Sequence, residues 1–318
     1  MLSDRTKLHV LDKVSLNILR GEVLGIAGES GSGKSTLLKA IYRFPDPSLI
    51  VNNGKIVLIR NETNNDEIIL SLMSHEKLRR EVWWKKISMI PQNAQNTFNP
   101  IMRIQDHFFE VYESAKGVEV KRDKYKVLEE IRMYIESLKL PVEILQAFPH
   151  QLSGGMKQRV VIALASIFKP SLILADEPTS ALDVVNQKIA LKMLKDIKEN
   201  LGNTLVIVTH DLGILGSLSE RLAVMYAGKI VEIAPTSNIM KNPLHPYSNA
   251  LMESIPRIGD RRVRKGLVGN PPSLRNPPPG CRFHPRCPLA MEICRYESPP
   301  LVEVESNRWA ACWLHIKR

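Results

Sequence analysis

The sequence predicts an α/β fold with a mostly parallel sheet. Over the first 235 residues, short apolar runs alternate with segments of helical periodicity, which is typical of strands joined by crossover helices. The runs are apolar at nearly every position, as expected of parallel strands that are buried on both faces. A chain of 318 residues with 44% hydrophobic and 24% charged residues is large enough to bury a sizeable core.

Four strands and four helices are predicted in this part of the chain. The predicted strands are EVLGIAG (22–28), KKISMI (85–90), SLILADE (171–177) and NTLVIVTH (203–210). The predicted helices are KSTLLKAIY (34–42), KVLEEIRMYIESL (126–138), GMKQRVVIALASIF (155–168) and QKIALKMLKDIKENL (187–201). The segment from about 93 to 167 is mainly helical and lies between two strands, so we expect an inserted helical subdomain there.

The sequence predicts neither a signal peptide nor a membrane span. The first ten residues, MLSDRTKLHV, are too polar for a signal peptide. The longest apolar run, VVIALASIF, is far shorter than the ~20 residues that cross a bilayer. We therefore expect a cytoplasmic chain with reduced thiols. The net charge of +11 permits nucleic acid or an anionic membrane as a partner, and equally fits an ordinary basic surface.

The stretch GESGSGKST (28–36) predicts a phosphate-binding loop. It has the P-loop pattern G-x-x-x-x-G-K-[ST], and it follows a predicted strand and opens a predicted helix. Glycines let the backbone N–H groups converge on phosphate oxygens, and the helix N-terminus adds partial positive charge. We expect Lys34 to reach the β- and γ-phosphates and the hydroxyl of Ser35 to bind Mg²⁺.

Two carboxylates follow the strand in SLILADEP (171–178). Asp176 fits the carboxylate that accompanies Mg²⁺ in P-loop proteins. Glu177 is the next residue and is a candidate general base for the attacking water. Paired acids at a strand end are common on surfaces, so this prediction depends on the P-loop upstream.

A second small-residue turn, QLSGGMKQR (151–159), precedes another helix. Ser153 is a candidate N-cap, and an ordinary capped helix is one interpretation. The other is an anion site. One nucleotide does not need two anion-binding turns from the same subunit. If the turn binds an anion, it would therefore complete the P-loop site of a second subunit.

The ordered motifs resemble the ATP-binding cassette family, the ATPase subunits of ABC transporters. They are GESGSGKST, Gln92 in ISMIPQNAQNTFNP, LSGGMKQR, LILADEP, SALD (180–183) and VTHD (208–211). The resemblance runs from about Leu11 to the C-terminus. It implies a P-loop NTPase (RecA-like) cassette over residues 1–235, with the helical subdomain at about 93–167, and a Cys/Pro-rich C-terminal extension over 236–318.

The resemblance also implies the residues that bind and hydrolyse ATP. The nucleotide set is Gly28, Glu29, Ser30, Gly31, Ser32, Gly33, Lys34, Ser35, Thr36, Gln92, Ser153, Gly154, Gly155, Asp176, Asp183 and His210. The catalytic set is Glu177, His210, Lys34 and Gln92, and the Mg²⁺ ligands are Ser35, Gln92 and Asp176. Gln92 would also signal to the membrane subunits, and Asp183 would lie at the seam between two cassettes.

The tail narrows the resemblance to the oligopeptide/dipeptide importer branch. The stretches that carry it are NPLHPYSNALMESIP (242–256), LVGNPPSL (267–274) and PPPGCRFHPRCPLAMEIC (277–294). It implies an ATPase that energises uptake of di- or oligopeptides from the cytoplasmic face of the membrane. Two permease subunits, a second cassette (identical or a paralogue) and a solute-binding protein would complete the system. Oligosaccharide or nickel import is an alternative cargo. A nucleic-acid-associated cassette ATPase is the alternative class, although nucleic acid is not expected because the chain has one cassette and no long coiled-coil insertion.

All four cysteines lie in the last forty residues, where the spacing leaves three alternatives open. Without a C-x-x-C pair a usual zinc site is less natural, and a disulfide is disfavoured in a reducing compartment. Four thiolates can hold an iron–sulfur cluster, and the resemblance implies a [4Fe–4S] centre in some members. The third alternative is four unligated thiols. The residues are Cys281, Cys287, Cys294 and Cys312.

Two further features carry weaker expectations. The family usually stacks adenine on an aromatic residue upstream of the P-loop, but no Phe, Tyr or Trp precedes Tyr42, and His9 is the only ring there. Either the start is truncated or the adenine is held differently, and we expect weakened adenine packing. The basic segment RIGDRRVRKG (257–266) is either solvated or in contact with anionic lipid or the partner ATPase.

Overall fold

The computed structural model describes residues 8–61, 66–117, 120, 123–255, 267 and 269–316. The chain divides into two compact units. Unit 1 consists of Met1–Leu37 and Val206–Arg318, and unit 2 consists of Leu38–Leu205. The basic segment 257–266 lies outside the described residues, so its expected contacts stay predictions.

The described residues contain ten strands and nine α-helices. The strands are β1 Val23–Ala27, β2 Val57–Asn61, β3 Asp66–Ile69, β4 Ile87–Ile90, β5 Leu172–Asp176, β6 Thr204–Val208, β7 Arg221–Tyr226, β8 Lys229–Pro235, β9 Val302–Glu305 and β10 Arg308–Ala310. The helices are α1 Lys34–Tyr42, α2 His75–Glu81, α3 Ile104–Lys116, α4 Lys124–Ser137, α5 Gly154–Ser166, α6 Val184–Leu201, α7 Leu212–Leu218, α8 Thr236–Lys241 and α9 Pro246–Glu253.

The strands of unit 1 form a mixed arrangement. β1 pairs in parallel with β7, and β7 and β8 form an antiparallel hairpin. β10 adds to β8 and pairs with β9, both in antiparallel register. The C-terminal extension therefore contributes two strands to the sheet that carries β1, the strand leading into the P-loop.

Unit 2 contains a further parallel pair and most of the helices. β4 and β5 pair in parallel, and β2 and β3 form a separate antiparallel pair. The described residues from 93 to 167 hold three α-helices, α3, α4 and α5, and no strand. Their inward faces are apolar and fully buried, as at Ile104, Phe108, Ile131 and Ile162, since each helix repeats its apolar residues every three or four positions.

The structure confirms all eight predicted elements. The predicted helix 34–42 coincides with α1, and the other seven differ by at most a few residues at their ends. Parallel pairing is confirmed for β1 with β7 and for β4 with β5. The sequence analysis did not predict the other strands, which are β2, β3, β7, β8, β9 and β10. Of these, β9 and β10 are short and lie within a proline-rich tail. In the described part of the chain, no helix is both long and apolar enough to cross a bilayer.

A buried carboxylate joins the extension to β8. Glu232 is 0% exposed, and its two oxygens accept hydrogen bonds from the backbone N–H groups of Leu244 and His245, each at 2.9 Å. His245 in turn accepts the N–H of Tyr247 at its Nδ1 atom, 3.0 Å away, and so caps the start of α9. Burial lowers the pKa of His245 to about 3, so the ring stays neutral and keeps this acceptor.

We predict that Glu232→Gln destabilises the protein by roughly 1–3 kcal/mol. A glutamine of the same shape has only one oxygen, so its NH₂ group would face one of the two N–H donors. The measurement is the free energy of unfolding in urea. Glu297→Gln, an exposed position in the same extension, is the matched control. Equal stability of the two variants would contradict the tethering role.

Candidate functional site

The P-loop of unit 1 runs from the end of β1 to the start of α1 and packs tightly against β7. Gly28 has φ +151°, and a Cβ there would collide with the carbonyl oxygen of Met225 and lie 2.9 Å from the Ser32 hydroxyl. Only glycine permits this approach. The backbone N–H of Gly228, in the turn between β7 and β8, donates to the Ser32 carbonyl at 2.8 Å and holds the loop from the other side.

Lys34 places its charge inside this loop. Its ammonium group donates to the carbonyl oxygens of Gly28 and Glu29 at 2.8 and 2.9 Å, and the Ser32 hydroxyl lies at 3.5 Å. The side chain is largely buried. α1 begins at this residue, and the N-terminus of a helix carries partial positive charge. A buried lysine and a helix N-terminus that follows a glycine-rich turn together favour the binding of phosphate.

The predicted carboxylates lie at the end of β5 in unit 2, in different environments. Asp176 is the last residue of the strand and is 1% exposed. Glu177 is half-buried and adopts φ +49°, the left-handed region that non-glycine residues rarely occupy. Its carbonyl accepts hydrogen bonds from both the N–H and the hydroxyl of Ser180, at 3.1 and 3.0 Å. Such a conformation, held by local bonds, is often found at functional sites.

The second glycine turn has the predicted cap. Ser153 precedes α5, and its hydroxyl accepts the N–H of Met156 at 3.2 Å. Gly155 packs against Asn186 at the start of α6, where a Cβ would lie 2.9 Å from the Cβ of Asn186. Asn186 also donates from its side-chain amide to Asp183 at 2.6 Å. Asn186, which the sequence interpretation missed, therefore brings the LSGG and SALD motifs together within unit 2.

Asp183 is an N-cap as well as a predicted seam residue. Its Oδ1 atom accepts the N–H groups of Val185 and Asn186 at 3.0 and 2.9 Å. The backbone and side-chain hydrogen bonds from Asn186 lower the pKa of Asp183. The carboxylate thus remains charged at the N-terminus of α6, where negative charge is favourable.

The remaining predicted site residues follow strands directly. Gln92 comes after β4 and is exposed, and the next residue, Asn93, adopts φ +56° and turns the chain. His210 comes after β6 and is also exposed. Asp211 caps α7 by accepting the N–H groups of Gly213 and Ile214 at 2.8 and 3.1 Å. The structure gives the position of each residue within its own unit. That Gln92 and His210 act at one ATP site stays a prediction.

The comparisons with known proteins agree with these motifs. A family model described as ABC transporter matches residues 11–180, and one described as oligopeptide/dipeptide transporter, C-terminal region, matches residues 231–294. The chain belongs to the ABC transporter family. It therefore has the ATP-binding cassette fold of that family, and the ATPase assignment made from the motifs is confirmed.

Individual relatives cover nearly the whole chain. The dipeptide transport ATP-binding protein DppD of Caldanaerobacter subterraneus subsp. tengcongensis is 42% identical over 97% of this chain and 92% of its own length. The oligopeptide transport ATP-binding protein OppD of Escherichia coli is 37% identical over 96% of this chain and 88% of its own. A solved dimeric ATP-binding cassette in a post-hydrolysis state, bound to ADP and Pi, has a TM-score of 0.57 at 30% identity and covers 71% of this chain and 90% of that one.

The four cysteines of this ABC protein line one small cavity in unit 1. The cavity holds about 10 Å³ and also contacts His245, Phe283 and His284. All four cysteines are free thiols. Burial raises the pKa of Cys281 to about 11 and also raises the pKa values of Cys287 and Cys312, so these thiols are protonated at neutral pH.

Among the described residues, no group of three or more His, Cys, Asp or Glu side chains is arranged as a metal site. The donor chemistry of the cavity nevertheless fits an iron–sulfur centre, which takes four thiolates. The backbone brings two of the cysteines together, since the N–H of Cys281 donates to the carbonyl of Cys294 at 2.8 Å. The structure therefore confirms a common location for the thiols but not a ligand geometry.

Two residues of the extension contact the P-loop and were missed by the sequence interpretation. The Tyr247 hydroxyl accepts the N–H of Glu29 at 2.8 Å, and Arg286 forms an ion pair with the Glu29 carboxylate at 2.7 Å. They lie 218 and 257 residues from Glu29 along the chain. No local pattern could have indicated either contact, although Tyr247 and Arg286 both lie in stretches that carried the resemblance to the importer branch.

We predict that Gly155→Ala destabilises the protein by about 1–3 kcal/mol, because the added methyl group overlaps Asn186 near its backbone. Urea denaturation measures the effect. Gly213→Ala is the control, since a Cβ in that helical position would meet only the Asp211 carboxylate at 3.1 Å. A stability of Gly155→Ala equal to that of the control would show that α5 and α6 do not constrain this glycine.

Proposed function

We propose that the chain is the ATP-binding and ATP-hydrolysing subunit of an ABC importer that energises uptake of di- or oligopeptides. The observation that carries the proposal is the P-loop, with the Lys34 ammonium held inside the turn at the N-terminus of α1. Peptide cargo is supported by the match of residues 231–294 and by the names of the relatives. The cassette would comprise residues 1–235 and the extension residues 236–318.

In this proposal the P-loop binds the phosphates of ATP. Lys34 and the N–H groups at the start of α1 neutralise the β- and γ-phosphates, which would exchange for the loop carbonyls that Lys34 now contacts. Ser35, Gln92 and Asp176 supply hydroxyl, amide and carboxylate oxygens, the hard donors that Mg²⁺ prefers. Bound Mg²⁺ would neutralise charge that develops on the phosphates.

Hydrolysis then requires an activated water and a closed site. Glu177 is the proposed general base, held by its turn at the end of β5. His210 would contact the γ-phosphate. The turn formed by Ser153, Gly154 and Gly155 would come from a second cassette subunit and cover the nucleotide, which removes water and strengthens the electrostatic contacts.

The proposed partners follow from this scheme. A second cassette subunit completes each ATP site, and the dimeric solved cassette supports such a pairing. Two membrane-spanning permease subunits would receive the motion of the exposed loop at Gln92, and a solute-binding protein would deliver the peptide. The chain would lie peripherally on the cytoplasmic face of the membrane.

We expect Glu177→Gln to reduce ATP turnover by roughly 10²- to 10⁴-fold and to retain bound ATP, because the amide cannot accept the proton of the attacking water. Phosphate release and nucleotide retention on the purified protein are the measurements. Glu143→Gln, an exposed change in the same unit, is the control. Undiminished turnover in Glu177→Gln would refute the base, whereas failure of the unchanged protein to bind ATP would refute the proposed function.

We further propose that the four cysteines hold a [4Fe–4S] cluster. Their common cavity and their four-thiol donor set support this assignment. The buried thiols would have to lose their protons on binding, which couples cluster assembly to pH and to folding. The bound centre would cross-link a proline-rich segment that has little core of its own.

Purification without oxygen should yield about four irons per chain and a broad absorbance near ~400 nm. Cys312→Ser should lower the iron content, since it removes one ligand. Lys34→Ala, which changes only the P-loop, should leave the iron content unchanged. Four titratable thiols and no iron in the anaerobic protein would refute the cluster and leave the ATPase proposal intact.

A further inference from the structure

We propose that Arg286 of the extension is a positioning residue of the P-loop, which compensates the charge of Glu29 and thereby sets the affinity of the loop for nucleotide phosphates. The proposal rests on the P-loop being the ATP site, as proposed above. It assigns to the extension a part in nucleotide binding that is exerted through Glu29.

The contact is a two-pronged ion pair in a protected position. Arg286 donates from Nη1 to one oxygen of Glu29 at 2.7 Å and from Nη2 to the other at 3.0 Å. The Arg286 side chain is 6% exposed and that of Glu29 is 24% exposed. Parallel bonds between a planar guanidinium and a carboxylate fix orientation as well as charge. The pair is therefore better ordered than an exposed surface salt bridge.

Aromatic side chains hold Arg286 and the loop in place. Arg286 lies over the ring of Tyr226, 5.8 Å from its centroid, and the Tyr226 hydroxyl is 3.3 Å from Nη1. Tyr226 packs at 4.6 Å from Tyr247, whose buried hydroxyl accepts the Glu29 N–H. Phe283 packs against both tyrosine rings. Glu29 is thus fixed at its backbone by Tyr247 and at its side chain by Arg286.

The charge of Glu29 explains why this arrangement matters. Glu29 is the second residue of a loop that binds anions, so its carboxylate repels the phosphates of ATP. Arg286 supplies the opposite charge within hydrogen-bonding distance. Without Arg286, the carboxylate would be left uncompensated on the loop that binds the phosphates. The loop would remain folded, because Tyr247 and Gly228 still hold its backbone.

The position of Arg286 links the P-loop to the thiol cavity. Arg286 immediately precedes Cys287, and its N–H donates to the carbonyl of Phe283 at 2.9 Å within a short 3₁₀ turn. Phe283 itself lines the cavity. The conformation of the cysteine-containing segment therefore determines where the guanidinium lies.

The test is a set of substitutions that should change the affinity for MgATP in opposite directions. Arg286→Met should weaken binding of MgATP roughly five- to tenfold, as expected for an uncompensated charge near the phosphates. Glu29→Gln should bind at least as tightly as the unchanged protein, since the repulsive charge is gone. The double variant Glu29→Gln/Arg286→Met should restore the unchanged affinity. Competition against a fluorescent ATP analogue measures the dissociation constants, at low and at high salt.

The KM for ATP and kcat distinguish a positioning role of Arg286 from a role in folding. Arg286→Met should raise the KM for ATP while kcat at saturating ATP changes less than twofold. The exposed Arg295→Met is the matched control, and it should change neither value. If Arg286→Met does not fold, the affinity of Glu29→Gln still tests the proposal.

Three outcomes would overturn the proposal. They are unchanged ATP affinity in Arg286→Met, weaker ATP binding in Glu29→Gln, and failure of the double variant to recover. Lys34→Ala separates this failure from that of the proposed function. If the unchanged protein binds ATP and Lys34→Ala does not, the P-loop is the nucleotide site and only the role of Arg286 is at issue.

Discussion

Unit 1 is organised around the tight packing of the P-loop against β7. The backbone of the loop forms hydrogen bonds with neighbouring segments, at Glu29 with Tyr247 and at Ser32 with Gly228, and these neighbours impose its shape. Gly28 lies against the backbone of β7, and Gly228 holds Ser32 from the turn after β7. The strands of unit 1 thus form a rigid support for the P-loop.

The C-terminal extension also stabilises the P-loop. β10 pairs with β8, and β9 pairs with β10, so the extension adds two strands to the sheet that contains β1. Glu232 joins β8 to the start of α9, because its carboxylate accepts two backbone N–H groups there. Tyr247 and Arg286 then reach the P-loop from two different segments. The proline-rich tail keeps this position through buried polar contacts and through apolar packing, as at Ile239, Tyr247 and Phe283.

In unit 2, helix caps fix the positions of the LSGG and SALD motifs. Ser153 and Asp183 cap α5 and α6, and Asn186 touches both Gly155 and Asp183. One side chain therefore joins the LSGG motif to the SALD motif. Glu177, at the end of β5, has a strained backbone that local hydrogen bonds maintain. A fixed orientation of these polar groups is what a hydrolytic site requires.

The local features of this protein could be predicted from the sequence. The eight predicted elements, the P-loop and the cap at Ser153 depend on residues close together in the chain, where periodicity and capping chemistry are readable. The common cavity of the four cysteines, the hold of Asn186 on two motifs and the Arg286–Glu29 pair were decided by tertiary structure alone. Each joins residues whose separation in sequence carries no periodic signal, and only the folded backbone brings them within hydrogen-bonding distance.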